Sequence, residues 1–211
     1  MRKILMPLTA LAVVALAMSF SIAEENAETA AAKSGATAKI GEAAPNFSLQ
    51  DQDGKTHSLS DYKGKLVVLE WFNDKCPYVV KHYSGGHMNA LAKKYAEKDV
   101  VWLAINTTPG RSQEDNKAIA SEWKMEHPIL SDTTSEVARA YQSKATPTMY
   151  IIDKEGKLLY MGAIDSDNSA DPKKVEGATN YVAKALDEIL AGKEVSEPQT
   201  KAYGCAVKYS K

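Results

Sequence analysis

Cys76 and Cys205 are the chain's two thiols, and the setting of the first points to redox chemistry. Leu66-Val67-Val68-Leu69-Glu70-Trp71-Phe72 is a nearly continuous apolar run rich in valine and aromatic residues, the pattern of a strand buried on both faces. The polar triplet Asn73-Asp74-Lys75 ends it, and Cys76-Pro77 follows. Proline suits a first helical turn because its missing N–H would have no partner there. The Cys76 sulfur is therefore expected beside the unpaired amides and the positive pole of a new helix. An ordinary thiol, with a pKa of about 8.5, is little ionised near neutral pH, and a helix N-terminus lowers that value by roughly one to several units. Lys75 and Lys81 are expected to add to the effect, with Asp74 and Glu70 opposing it. The expectation is an exposed, partly ionised nucleophile; an inert buried cysteine is the competing reading.

Other groups near this strand carry weaker signals. A carboxylate on a buried strand is expensive to ionise, so Glu70 is expected either hydrogen-bonded, as a proton relay, or at an exposed strand end. Tyr78 and Trp71 are candidates to flank the thiol or to fill the core. Cys76, His82 and His87 lie close in sequence, but a six-residue step puts Cys76 and His82 on different faces of a helix. No metal or cofactor is assigned. His82 is expected beside a carboxylate or as a modulator of the thiol, and His87 and His127 at the surface.

The remaining chain supplies the elements that position these groups. Residues 40–49 followed by Asp51-Gln52-Asp53-Gly54-Lys55 predict a short strand and a tight turn with Gly54 at positive φ. The helix after Cys76 is expected to break at Ser84-Gly85-Gly86 and resume through Met88, Leu91, Ala92 and Tyr95. Residues 100–105 form a second buried strand, followed by a helix over about 112–125, a short strand at 128–130 and a helix capped by Asp132. Thr146-Pro147 enters a further strand, Lys154-Glu155-Gly156-Lys157 turns it into a hairpin, and a last helix is expected from Asp171-Pro172 to Gly192. Strands alternating with helices predict an α/β domain, a central mixed sheet with helices on both faces.

Arg2 and Lys3 precede an apolar run from Ile4 to Phe20 that ends in Ser21-Ile22-Ala23, the pattern of a cleaved signal peptide, residues 1–23. The expected location is periplasmic or extracellular, with membrane attachment only if the segment stays uncleaved. Residues 24–39 are Ala-rich and polar, a flexible linker; a folded domain over 40–192 and a tail over 193–211 carrying Cys205 follow. Removing Arg2 and Lys3 leaves 24 basic against 27 acidic side chains, a net charge of −3 that gives no reason to expect nucleic acid as a partner. An even cysteine pair in an oxidising compartment is most often a structural disulfide, but a domain of this size needs no staple. Both readings of the pair stand.

Cys76-Pro77-Tyr78-Val79 at a strand-to-helix junction, Thr146-Pro147 before a strand and the hairpin-plus-helix ending together resemble the thioredoxin-like superfamily. Ala44-Pro45-Asn46-Phe47-Ser48-Leu49 with Asp53-Gly54-Lys55 resembles the opening of its redoxin branch, the alkyl hydroperoxide reductase and thiol-specific antioxidant family. The match is to a peroxiredoxin-like subgroup through Lys81-His82-Tyr83, Ala145-Thr146-Pro147, Gly162-Ala163-Ile164-Asp165 and Tyr203-Gly204-Cys205-Ala206-Val207-Lys208-Tyr209. The resemblance implies a thioredoxin-like fold and a thiol-dependent oxidoreductase with Cys76 as nucleophile. Its substrate would be a peroxide or a disulfide. Cys205 is the candidate resolving thiol if the tail folds back as a mobile arm. It also implies a cis Thr146-Pro147 bond beside the sulfur, and supporting roles for Asn73, Pro77, Tyr78 and Glu70. The implied partners are a thiol reductant, a disulfide-bearing protein or a small peroxide. Two patterns depart from the superfamily. Val79 stands where a thioredoxin has its second cysteine, and Leu69 and Asn73 stand where a peroxidatic site has proline and threonine. Arg111 and Arg139 are the candidates for the guanidinium such sites use. The alternatives are a non-catalytic module with a structural Cys76–Cys205 disulfide and a copper-binding protein.

Overall fold

The computed structural model describes residues 37–210; the signal segment and most of the linker lie outside them. In chain order the elements begin with a hairpin of β1 (Ser48–Gln50) and β2 (Thr56–Ser58), then β3 (Leu66–Phe72), α1 (Pro77–Ser84), α2 (His87–Ala96) and β4 (Val100–Asn106). Next come α3 (Gln113–Glu122), β5 (Ile129–Ser131), α4 (Glu136–Ala140), β6 (Ala145–Thr146), β7 (Thr148–Ile152), β8 (Leu158–Gly162), α5 (Tyr181–Leu190) and β9 (Cys205–Ala206). The central sheet has the order β5-β4-β3-β7-β8. β3 pairs parallel with β4 and antiparallel with β7, so the sheet is mixed, as expected.

Every residue of β3 is buried, because both faces of the sheet are covered. Leu66, Val68 and Phe72 face a core built with α1, α2, α3 and α5, whereas Val67, Leu69 and Trp71 face a second core with Phe47, Leu59, Val137, Ala138 and Tyr141. Emptying one such position, as in Leu69→Ala, would cost about 2–5 kcal/mol through lost burial and the cavity left behind. Trp71, expected as a possible neighbour of the thiol, is on the face away from α1; its indole N–H donates to Thr107 Oγ1 at 3.1 Å.

Several local expectations hold and two do not. Gly54 has φ of 79° in the β1–β2 turn, and α1 gives way to α2 at Gly86, which has φ of 72°. Asp132 accepts the amides of Val137 and Ala138 at 3.3 and 2.9 Å, holding the start of α4. The single last helix expected over 171–192 is instead a short 3₁₀ turn, Pro172–Lys174, and α5. Asn180 opens α5 by accepting the Ala183 amide at 2.8 Å, so a second N-cap restarts the helix after Gly177 and leaves Val175 and Ala178 only half-buried. His127, expected at the surface, is buried against Tyr83 and Trp102.

The tail after α5 is fastened to the domain along its length. Met161 donates its amide to Pro198 O at 3.0 Å and Thr200 donates to Met161 O at 3.2 Å, so the segment covers the free edge of β8. Beyond it β9 pairs antiparallel with β6, Thr146 opposite Cys205. Val207 then enters the second core, and Tyr209 donates to Ser143 O at 2.6 Å. Among the described residues no helix is long and apolar enough to cross a membrane.

Candidate active site

Cys76 occupies the N-cap position of α1, with Pro77 in the first turn. Asn73 builds the approach, its Oδ1 accepting the Lys75 amide at 2.8 Å and its carbonyl accepting the Cys76 amide at 3.0 Å. Asn73 therefore shapes the turn. The expectation that the sulfur is exposed fails: Cys76 is 1% exposed. β9 lays Cys205 against the cis Thr146–Pro147 bond, and both cysteines are free thiols.

As a thiol, Cys76 donates to Thr146 O at 3.0 Å. Burial pushes its pKa up, but hydrogen bonding by the Thr146 hydroxyl, the Cys205 thiol and the amides of Cys205 and Val79 outweighs burial and holds it below the ordinary value. Cys205 is pushed the other way, to about 11, by burial and by its contact with Cys76. Of the two thiols Cys76 is the more readily ionised, and the readily ionised thiol is the one expected to attack first.

The lysines expected to help do not reach the sulfur. Lys75 is exposed and turns to Asp74 at 3.2 Å. Lys81 is buried and donates to the carbonyls of Asp167 and Ser169 at 2.6 and 3.0 Å. Of the two arginines, Arg111 binds both oxygens of Asp74 at 2.6 Å and Arg139 holds Ser210 O at 2.9 Å. Tyr78 is half-buried, its ring 5.9 Å from that of Tyr203.

Glu70 is hydrogen-bonded, as expected, and not at an exposed strand end. It is fully buried on the α1 side of the sheet, accepting Tyr83 OH at 2.9 Å and Trp102 Nε1 at 3.1 Å on Oε2, while Oε1 has no partner. Burial outweighs those two donors and raises its pKa to about 7. Tyr83 OH also lies 3.1 Å from His127 Nε2. Burial lowers the His127 pKa to about 4.

Sequence reasoning missed a second polar cluster. Lys81, His82, Asp165 and Tyr203 come together beside Cys205, Tyr203 donating to Asp165 Oδ1 and standing 3.3 Å from His82 Nε2. All four lie in motifs already noted for their resemblance; the signal absent from the sequence was that the tail returns to α1. Among the described residues no three His, Cys, Asp or Glu side chains converge as a metal site.

The chain is 32% identical over 121 residues, 57% of its own length and 68% of the other's, to the thiol-disulfide oxidoreductase ResA of Bacillus thuringiensis subsp. konkukian. Among solved structures it is similar to a conserved protein from Geobacillus kaustophilus, with 32% identity and a TM-score of 0.73 over 82% of this chain and 93% of that one. It is also similar to the peroxidoxin BcpB of Mycobacterium tuberculosis, with 29% identity and a TM-score of 0.50 over 58% of this chain and 84% of that one. Residues 40–161 match the AhpC/TSA family model, and with the mixed five-stranded sheet and the strand-to-helix cysteine this settles kinship: the chain belongs to the AhpC/TSA family, as a thiol-dependent oxidoreductase of the thioredoxin-like superfamily.

Proposed function

We propose that the protein exchanges thiols for disulfides through a two-cysteine cycle. The Cys76 thiolate attacks one sulfur of a substrate disulfide, forms a mixed disulfide and releases the other sulfur as a thiolate. Cys205 loses its proton to solvent and attacks the Cys76 sulfur. A Cys76–Cys205 disulfide forms and the substrate leaves as its second thiol. The substrate gains two electrons and the cysteine pair loses two; a thiol reductant reverses the change. The observation carrying this reading is that the β6–β9 pairing sets Cys205 opposite Thr146, the residue whose carbonyl accepts the Cys76 thiol at 3.0 Å.

A disulfide is the better-supported substrate than a peroxide. Both arginines considered for a peroxide site are engaged elsewhere, Arg111 by Asp74 and Arg139 by Ser210 O. Function outside the cytoplasm is part of the proposal, and it rests on the segment from Arg2 to Ala23.

Reduced protein mixed with glutathione disulfide should yield a Cys76–Cys205 disulfide on peptide mapping. Cys205→Ser should stop at glutathione held on Cys76, and Cys76→Ser should consume no disulfide. Equal consumption by Cys76→Ser rejects Cys76 as nucleophile. A bridge that mild reductant opens only after unfolding rejects cycling and leaves a static brace.

A further inference from the structure

Lys81, His82 and Asp165 take no part in the thiol steps, yet they are buried together, with the half-buried Tyr203 reaching in from the tail two residues before Cys205. The Lys81 side chain has 0% exposure, with Nζ 3.3 Å from Asp167 Oδ1 and 3.7 Å from Asp165 Oδ1, and 5.1 Å from the centre of the Tyr203 ring. Tyr203 comes from the far end of the chain and places its hydroxyl between Asp165 and His82. Burying charge this completely is a weak source of stability, because desolvation offsets the attraction. What the cluster supplies is a fixed position for one phenol.

That position governs Cys205. Only Gly204 separates the two residues, and it passes so close to Thr146 O that a Cβ there would overlap it. The cluster is also poised to open. Asp165 Oδ2 is buried without a partner, 3.9 Å from His82 Nε2. A cleft of about 230 Å³ lined by Asp165, Thr200, Lys201 and Tyr203 lies beside it, so water can meet that oxygen when Tyr203 withdraws. With Cys76 buried while the tail is seated, some withdrawal must precede attack on any substrate larger than the gap.

We propose that Lys81, His82, Asp165 and Tyr203 form a latch on the C-terminal tail. Closed, it holds Cys205 on Cys76 for resolution; open, it admits the substrate disulfide to Cys76. The four act as positioning residues, and the proposal rests on the two-cysteine cycle above.

The latch predicts that one substitution moves two rates in opposite directions. Tyr203→Phe removes the hydroxyl and keeps the ring. A hydrogen bond to a charged acceptor is typically a tenfold effect or more, so alkylation of Cys76 by iodoacetamide, read by mass in a Cys205→Ser background, should speed up about tenfold. Resolution of the glutathione adduct in the Cys205 protein should slow by about the same factor, and the potential of the pair should become about 30 mV more oxidising. Asp165→Asn should show the same crossed pattern. Unchanged rates in both variants, or rates that move together in variants whose circular dichroism and melting match the parent, overturn the latch. Should neither variant fold, hydrogen exchange of the unmodified chain decides: Tyr203–Val207 amides opening faster than β3 support it, and amides as slow as β3 overturn it. Failure of the cycle itself is seen separately, as absence of the Cys76–Cys205 disulfide in the unmodified protein.

Discussion

Glu70 lies six residues before Cys76, on the side of β3 that packs under α1, and its environment is built for the protonated acid. Tyr83 and Trp102 both donate to Oε2, and burial still raises the pKa from 4.5 to about 7. A group whose folded pKa lies above its unfolded value contributes stability that is complete below the unfolded value and is lost as pH rises through the folded one. For Glu70 that window runs from about 4.5 to about 7 and amounts to about 3 kcal/mol at full ionisation. His82 and His127 act oppositely, with pKa values lowered to about 3 and about 4 by burial; their contribution is present above pH 6.5 or so and is lost on acidification. Glu70→Gln keeps an acceptor for Tyr83 and Trp102. Denaturant unfolding at several pH values should therefore show the variant near the parent at pH 5 and more stable than it at pH 8, the histidine effects cancelling in the difference. A difference that does not change with pH would mean that Glu70 titrates as an ordinary carboxylate.

At the scale of elements, the placement of Cys205 depends on two residues of strand at each partner, β6 and β9, and on the glycine leading into them. Gly204 has φ of 128°, a conformation side chains resist, and the space a methyl would need is filled by the Thr146 carbonyl. Gly204→Ala should unseat β9 while leaving the central sheet intact. The expected result is Cys76 becoming open to alkylation in the folded protein, with loss of the Cys76–Cys205 disulfide on oxidation; a variant that still buries Cys76 would show that the tail is held from elsewhere. This dependence explains what the sequence could and could not convey. The run Leu66–Phe72, the break at Asn73 and the Cys76-Pro77 start are local patterns, so strand, turn and helix N-terminus were legible. The seat of Cys205 was not, because it comes from pairing between residues 145–146 and 205–206, with no periodicity in either dipeptide. His127 was misplaced for a similar reason: its burial is set by Tyr83 and Trp102, from α1 and β4. The split of the last helix was readable in principle, since Asn180 is a good N-cap and follows Gly177, but the apolar spacing across it suggested one continuous helix.

Across the whole molecule, the Cys76–Cys205 bond would close the chain from the start of α1 to β9 into one loop. Tying residues about 130 apart removes chain entropy from the unfolded state equivalent to roughly 5 kcal/mol in the simplest treatment. The tail is already seated by Thr200, Val207 and Tyr209 when the thiols are free. Oxidation should therefore raise the melting temperature by about ten degrees or more for a domain of this size. Linkage requires the converse. Whatever free energy the bond adds to the fold, the fold adds to the bond, so the native pair should be harder to reduce than the same cysteines in the unfolded chain, by about 100 mV if the full 5 kcal/mol is realised. Calorimetry of the oxidised and reduced forms, paired with glutathione titration of native and denatured protein, tests both halves. Matching melting temperatures would mean that closing the bond strains the seated tail by as much as it restricts the unfolded chain. By the same linkage, the native pair would then be no harder to reduce than the cysteines of the unfolded chain.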